Sequence, residues 1–195
     1  MERPARMKET DTESNIIAAC QQGDRKAFQQ LFETYKDRVY SMALHFSRDE
    51  SLARDITQQV FLKLFTSISQ FRRDSEFTTW LYRIVANACT DEQRKRSRFV
   101  ALADGYEVKD MEAKDSQEES YARRQVADSV RAAIGDLTPK LRLAILLKYV
   151  EGLSYDEIAE ALGCSKGTVA SRLNRGHKIL AQKLSYLRSE VMSGE

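Results

Sequence analysis

Residues 153–180, LSYDEIAEALGCSKGTVASRLNRGHKIL, constrain this chain more than any other stretch. Ser154 stands where a helix N-cap belongs, and Glu157, three residues on, can close a capping box. Ile158, Ala159 and Leu162 supply the inward face of a short helix. Gly163 follows where that helix must end with a positive φ, which glycine adopts without a Cβ penalty. Ser165 is placed to cap a second helix, on which Val169, Leu173, Gly176 and Leu180 fall in one stripe at the helical period. Small Ala159 permits the two helices to cross closely. A helix, a tight turn and a second helix under these constraints form a helix-turn-helix, whose second helix enters the major groove of duplex DNA.

Charge agrees with that reading. Glu151, Asp156, Glu157 and Glu160 lie between residues 151 and 160 with no base among them. Lys166, Arg172, Arg175, Lys178, Lys183 and Arg188 lie between 163 and 188 with no acid. A cationic second helix is what attraction to phosphate requires. The plain alternative, a helical hairpin with a solvated basic face, does not account for cap, glycine, small residue and charge polarity together.

With the stripe inward, Ser171, Asn174 and Lys178 point outward, with Arg175 beside them. Asparagine pairs with adenine and arginine with guanine in the major groove. Lys166 and Arg172 add cations to the same helix.

The rest of the chain follows the helical period too. Only two prolines and eight glycines occur in 195 residues, and no strand pattern or internal repeat is visible, so an all-α fold is expected. Net charge is +2, so affinity for nucleic acid has to come from local patches. No signal peptide and no long uncharged apolar run is present, which points to the cytoplasm. The three cysteines (Cys20, Cys89 and Cys164) are far apart and show no metal-ligand spacing, and the two histidines (His45 and His177) add none. Neither metal nor cofactor is implied. Nor is there a Gly-rich phosphate loop, or a nucleophile beside a histidine at an informative spacing, so the chain is not expected to be an enzyme.

Two helical domains are expected, at about 14–97 and 119–191. Residues 1–12 read as frayed and 15–21 as a short helix. Asp24 starts a long helix to Ser47, carrying Phe28, Leu31, Phe32, Tyr35, Val39, Met42, Ala43 and Phe46 inward. A third helix runs from about Asp49 to Gln70. The loop FRRDSEF spans 71–77, and a fourth helix runs from about Thr78 to Arg96. Residues 98–118 form an acidic linker; the stretch 97–118 holds three bases and six acids. Helix resumes near Glu119, breaks at Gly135-Asp136 and restarts at Thr138-Pro139.

Two more surfaces stand out. On the third helix, Ile56, Val60, Phe61, Leu64, Phe65 and Ile68 span an apolar arc that can face the core. Leu62 lies outside it, beside Asp55, Gln58 and Gln59, as a protein-docking patch would. On the fourth helix, Trp80, Leu81, Ile84 and Ala88 form the inward stripe, while Tyr82 and Arg83 project to other sides. Arg72 and Arg73 precede this helix, and Arg94, Lys95 and Arg96 end it. Basic groups at both ends with aromatics between suit a single strand of nucleic acid.

These stretches together resemble the bacterial sigma factors of the extracytoplasmic-function group, over about residues 15–190. The resemblance is carried by AFQQLFETYKDRVYSMAL, ARDITQQVFLKLF, FTTWLYRIVANACTDEQRKR and LRLAILLKYVEGLSYDEIAEALGCSKGTVASRLNRG, in that order. It implies a first domain that binds core RNA polymerase and the melted minus-ten promoter element. The second would bind the minus-thirty-five element as duplex. It also implies an anti-sigma factor as partner, which can hold such a protein at the inner membrane face. Asp55, Gln58, Gln59 and Leu62 match the helix that docks on a coiled coil of the largest polymerase subunits. The loop 71–77 matches the one that captures a flipped minus-ten base, and Arg83 and Asn87 match the strand-contacting helix. Three residues depart from the pattern: Gln59 where glutamate is more usual, Ala170 where lysine or arginine is common, and Cys164 in place of an aliphatic turn residue. The rival readings are a stand-alone helix-turn-helix regulator, which lacks the expected α/β phospho-acceptor pattern in residues 1–110, and a recombinase, whose catalytic cluster is not visible.

Overall fold

Asp24 fixes where the first long helix begins, its Oδ1 accepting from the backbone N–H of Lys26 at 2.8 Å and of Ala27 at 3.3 Å. The computed structural model describes residues 5–102 and 121–187; among them are eight α-helices and no strand. The first half holds α1 (Ala5–Gln21), α2 (Arg25–Ser47), α3 (Glu50–Ser67), a 3-10 turn (Ile68–Gln70) and α4 (Phe77–Leu102). The second holds α5 (Tyr121–Gly135), α6 (Pro139–Tyr149), α7 (Tyr155–Ala161) and α8 (Lys166–Lys183).

The helix boundaries follow their caps. Asp49 accepts from Leu52 N–H at 3.0 Å to start α3. Ser154 and Glu157 close the capping box of α7, and Ser165 caps α8 through Thr168 N–H at 3.1 Å. Gly163 takes the expected left-handed turn at φ 59°. Three expectations are corrected. First, α1 begins at Ala5, not near Asn15. It has no apolar stripe to reveal it, yet Ile17 and Cys20 are buried and Glu13 accepts from the Tyr35 hydroxyl of α2. Second, α4 continues past Arg96 to Leu102, so residues 98–102 are helix and not linker. The shift in charge after Ser97 carries no helix breaker, the first glycine being Gly105. Residues 103–118, the remainder of the expected linker, and 119–120 and 188–191, the two ends of the expected second domain, lie outside the described residues.

The third correction concerns Tyr82, which is fully buried instead of projecting outward. Helix α4 is covered on two sides, by α2 and α3 on one and by α6 and α7 on the other. One buried cluster therefore runs through both halves, taking in Val39, Leu64, Tyr82, Leu146, Ile158 and Leu173. Along the seam lies a carboxylate: the Glu151 side chain is 4% exposed. It accepts from the Tyr82 hydroxyl and from Arg38 Nη2, the latter at 3.2 Å. Burial, then the bond to Glu151, pushes the Tyr82 phenol well above its ordinary value. Burial works against the charge on Arg38, but Tyr82 and Glu151 outweigh it and hold the guanidinium above its ordinary value. At another point on the seam Arg142 of α6 donates to Phe46 O at the end of α2, to Gly135 O at the end of α5 and to Leu137 O just after it. Its guanidinium lies 5.2 Å from the centre of the Phe46 ring.

Single substitutions test the packing and capping of α6, α7 and α8. A Cβ on Gly176 would lie 3.0 Å from Cγ1 and 3.1 Å from Cδ1 of the buried Ile145, and the further methyls of valine would press on the same side chain. Gly176→Val should therefore destabilise by about 1–3 kcal/mol in denaturant unfolding. Gly167→Ala, where the nearest atom is 3.8 Å away, should be neutral or gain up to about 1 kcal/mol. In the capping box, the Ser154 bonds hold the Glu157 carboxyl below its ordinary value. Glu157→Ala should cost about 1 kcal/mol at pH 7. The folded chain favours the carboxylate, so that contribution is whole above about pH 4.3, the ordinary glutamate value, and is lost as pH falls through the lower folded value. The gap between wild type and Glu157→Ala in unfolding midpoint should close over that range.

Candidate nucleic-acid and protein-docking surfaces

Helix α3 has one face in the core and one in solvent. Ile56, Val60 and Leu64 are fully buried, so the helix is held rigidly from behind. Asp55, Gln58 and Leu62 are exposed on the other side, with Gln59 half-buried. Leu62 is 59% exposed, as isolated leucines can be, but it is not isolated. Phe65, placed by periodicity in the core arc, is 55% exposed. Together Phe28, Phe32, Tyr40, Phe61, Leu62 and Phe65 line an open groove between α2 and α3, with Arg54, Thr57 and Gln58 on its rim. Edge-on ring pairs, Phe28–Phe65 at 4.9 Å and Phe32–Phe61 at 4.7 Å, fix its wall. The docking patch is thus wider than Leu62 alone. The contribution of α2 could not be read from α3, because it depends on how the two helices are rotated against each other.

The loop before α4 is pinned at both ends. Phe71 and Phe77 are buried and their rings meet at 5.6 Å; Trp80 packs on both, at 5.2 and 5.9 Å. Trp80 is thus a core-edge residue, in keeping with its stripe position. Between these anchors Arg72 and Arg73 are exposed. Arg73 has φ 60° and donates to Ser14 O at 3.0 Å. On α4, Asn87, Arg94 and Lys95 are exposed and Arg96 is half-buried. Arg94 pairs with Asp91 at 3.6 Å and Lys95 with Glu92 at 3.0 Å. Arg83 Nη2 pairs with Glu160 Oε1 of α7 at 3.1 Å, while its Nε is buried without a hydrogen-bond partner.

On α8 the inward stripe is as expected: Val169, Leu173 and Gly176 are buried and Leu180 half-buried. Ser171, Asn174, Arg175 and Lys178 are exposed together on the outer side, as is Lys166. Lys166 pairs with Asp156 at 2.8 Å, and the Ser171 hydroxyl donates to Thr168 O at 2.9 Å. Arg172 is half-buried, its Nη1 3.6 Å from Cys164 Sγ, so it reaches back to the turn and not outward with Asn174. Apolar spacing puts Tyr149 in one stripe with Leu141, Ile145 and Leu146, but at the last turn of α6 it is 63% exposed, and its hydroxyl lies 2.8 Å from His177 Nε2 on α8. Their spacing of 28 residues gives no local signal. Among the described residues no group of His, Cys, Asp or Glu could hold a metal ion, and no helix is long and apolar enough to cross a membrane.

Comparison with known proteins accounts for both halves. Residues 31–99 match the family Sigma-70 region 2, and residues 127–180 match Sigma-70, region 4. The RNA polymerase sigma-H factor of Pseudomonas aeruginosa is 31% identical over 192 residues, covering 93% of this chain and 98% of that protein. The ECF RNA polymerase sigma-E factor of Haemophilus influenzae is 33% identical over 189 residues, covering 93% of this chain and all (100%) of that one. Among solved structures, the sigma factor RpoE in complex with the anti-sigma factor NepR from Bartonella quintana superposes with a TM-score of 0.71 at 27% identity, covering 82% of this chain and 98% of that one.

Proposed function

The chain belongs to the extracytoplasmic-function sigma factors, a non-enzymatic family, and from that premise we propose how its surfaces divide the work of starting transcription. The outer face of α3, with Asp55, Gln58, Gln59 and Leu62, docks on core RNA polymerase. The observation that carries this reading is the groove beside Leu62: an apolar surface edged by Arg54, Thr57 and Gln58, on a helix whose opposite side is immobilised in the core. A pair of partner helices could cover Leu62 and Phe65 while Asp55 meets a cation.

The loop and α4 take the melted minus-ten strand. Arg72 and Arg73 stand at the loop, Arg83 and Asn87 along the helix, and Arg94, Lys95 and Arg96 at its end, so that cations track a phosphate backbone. A base extruded from the stack would lodge at the loop, with unstacking driven by binding energy. Helix α8 enters the major groove at the minus-thirty-five element. There Asn174 and Arg175 read base edges, and Lys166, Ser171, Arg172 and Lys178 position the helix on phosphate. Because Arg172 reaches toward Cys164, its contact would be at the edge of the groove. A likeness to a sigma factor bound to its anti-sigma factor supports a similar partner for this chain. These roles place the chain at work in the cytoplasm.

Two outcomes test the division. Asp55→Ala combined with Leu62→Ala should keep its circular dichroism spectrum yet lose core polymerase in a fluorescence titration. Central residues of such patches typically cost at least about 2 kcal/mol each, or roughly thirtyfold in affinity. Wild-type affinity in the folded double variant would remove α3 as the polymerase site. For α8, Asn174→Ala or Arg175→Ala in the holoenzyme should relax base preference at the minus-thirty-five element by about 1–3 kcal/mol per contact. Lys178→Ala should weaken binding evenly across sequences and lower its salt slope by about one.

A further inference from the structure

Helix α1 precedes residues 31–99, the segment that matches Sigma-70 region 2, yet it is bonded to the loop before α4. At the start of the loop Gln21, the last residue of α1, donates from Nε2 to Phe71 O at 2.8 Å and to Ile68 O at 3.2 Å. In the middle Arg73 Nη2 donates to Ser14 O at 3.0 Å. At the far end the tie runs through α2: Glu13 accepts from the Tyr35 hydroxyl, and the Tyr35 ring meets that of Phe77 at 5.5 Å. Resting on the reading that this loop captures an extruded minus-ten base, we propose that α1 sets the shape of the capture loop, with Gln21 as the positioning residue.

The side of α1 that meets the loop is itself fixed. Glu13, Ile17 and Gln21 recur every four residues, so they lie along one side of the helix. Ile17 and neighbouring Cys20 are buried, and α1 packs on α2 and on the 3-10 turn. The Gln21 amide is thus offered from a rigid helix to carbonyls at the last turn before the loop. Carbonyls at a helix end have no partner inside the helix, so a side-chain donor there fixes the direction in which the chain leaves. Arg73 needs holding for another reason. Its φ of 60° is a left-handed conformation that arginine rarely adopts, and an untethered loop would relax out of it. The bond to Ser14 O ties that residue to α1.

A base pocket discriminates only while its walls stand in place. A loop that samples other shapes binds its base in proportion to the fraction of molecules in which it is correctly formed. One net hydrogen bond shifts such a balance about two- to tenfold. Gln21 makes two, so their loss should cost about tenfold in preference at one base and leave the other positions alone. Phosphate contacts differ in kind, because they act at every position alike.

The test uses holoenzyme assembled from the full chain and core polymerase. The probe is a pool of single-stranded oligonucleotides randomised through the minus-ten segment and sequenced after binding. Gln21→Met keeps the length of the side chain and removes its donors. It should lower preference about tenfold at one position only and leave the salt slope unchanged. Gln21→Lys returns a donor that can reach both carbonyls and should restore the preference; its added charge acts on all bases equally and cancels in the ratio. Trp80, the only tryptophan, packs on Phe71 and Phe77 and reports on the loop without DNA. Acrylamide should quench it more in Gln21→Met than in wild type, and to the wild-type extent in Gln21→Lys. Circular dichroism checks folding, and Gln21→Asn, an amide one methylene too short, takes the place of Gln21→Met if that variant does not fold. A glycine inserted between Asp74 and Ser75 reshapes the loop whichever atoms meet the base, and so reads the loop site separately. If the insertion leaves every preference as in wild type, the loop is not the base site and the proposal falls with that reading. If the insertion erases one preference and the folded Gln21 variant keeps it, the loop stands as the site and α1 does not set it. An even loss at all positions in the Gln21 variant also overturns the proposal, since it makes Gln21 a residue of general stability.

Discussion

A carboxylate taken out of water has to be met by donors, and Glu151 is met from two helices of the opposite half. Its side chain is 4% exposed and receives the Tyr82 hydroxyl of α4 and the Arg38 guanidinium of α2. Removing the partners of such a group typically costs about 3–5 kcal/mol, far more than an exposed ion pair contributes. The placement of the second half on the first is therefore specified at one point to within hydrogen-bond tolerance. Arg142 repeats the device with the charges reversed, its guanidinium bonded to carbonyls at the ends of α2 and α5. Apolar burial makes the seam favourable; these two charged groups give it a register.

That register decides which surfaces face outward. The groove of α2 and α3 stays open, with Leu62 and Phe65 more than half exposed. The outer side of α8 is open too, with Asn174, Arg175 and Lys178 in solvent. Helix α4 is divided: Asn87, Arg94 and Lys95 are exposed, while Tyr82 is buried with its hydroxyl on Glu151, and Arg83 is half-buried against Glu160 of α7. The faces proposed for polymerase and for duplex DNA are thus open, while the face proposed for the melted strand is partly covered.

Charge is handled locally throughout. The net charge is +2, and several cations assigned to DNA already have acid partners: Arg83 with Glu160, Lys95 with Glu92, Lys166 with Asp156. These pairs are exposed and weak, so a phosphate can displace the acid at little cost. Under the proposed division, weak contacts at each surface would suffice, because two DNA sites brought together on polymerase make the second contact intramolecular.

The sequence by itself determined the helices and the helix-turn-helix. Asp24, Asp49, Ser154 and Ser165 mark helix starts, Gly163 marks a turn, and apolar spacing gives the buried faces of α2 and α8; each of these signals acts within a few residues. The outward residues of α8 and the polar face of α3 are legible for the same reason. Where local signals are silent, sequence and structure part. Helix α1 has no stripe, and the end of α4 has no breaker. Phe65 obeys the core period yet lies at a groove mouth, because α2 shields one side of that arc and leaves the other open. Tyr82 and Glu151 are 69 residues apart, and nothing in either neighbourhood announces that a tyrosine on the outer side of α4 will be buried and bonded to an acid from the connection between α6 and α7. Only tertiary structure could decide that, because burial of a polar side chain is set by what packs over it, and local periodicity records only the first layer of packing.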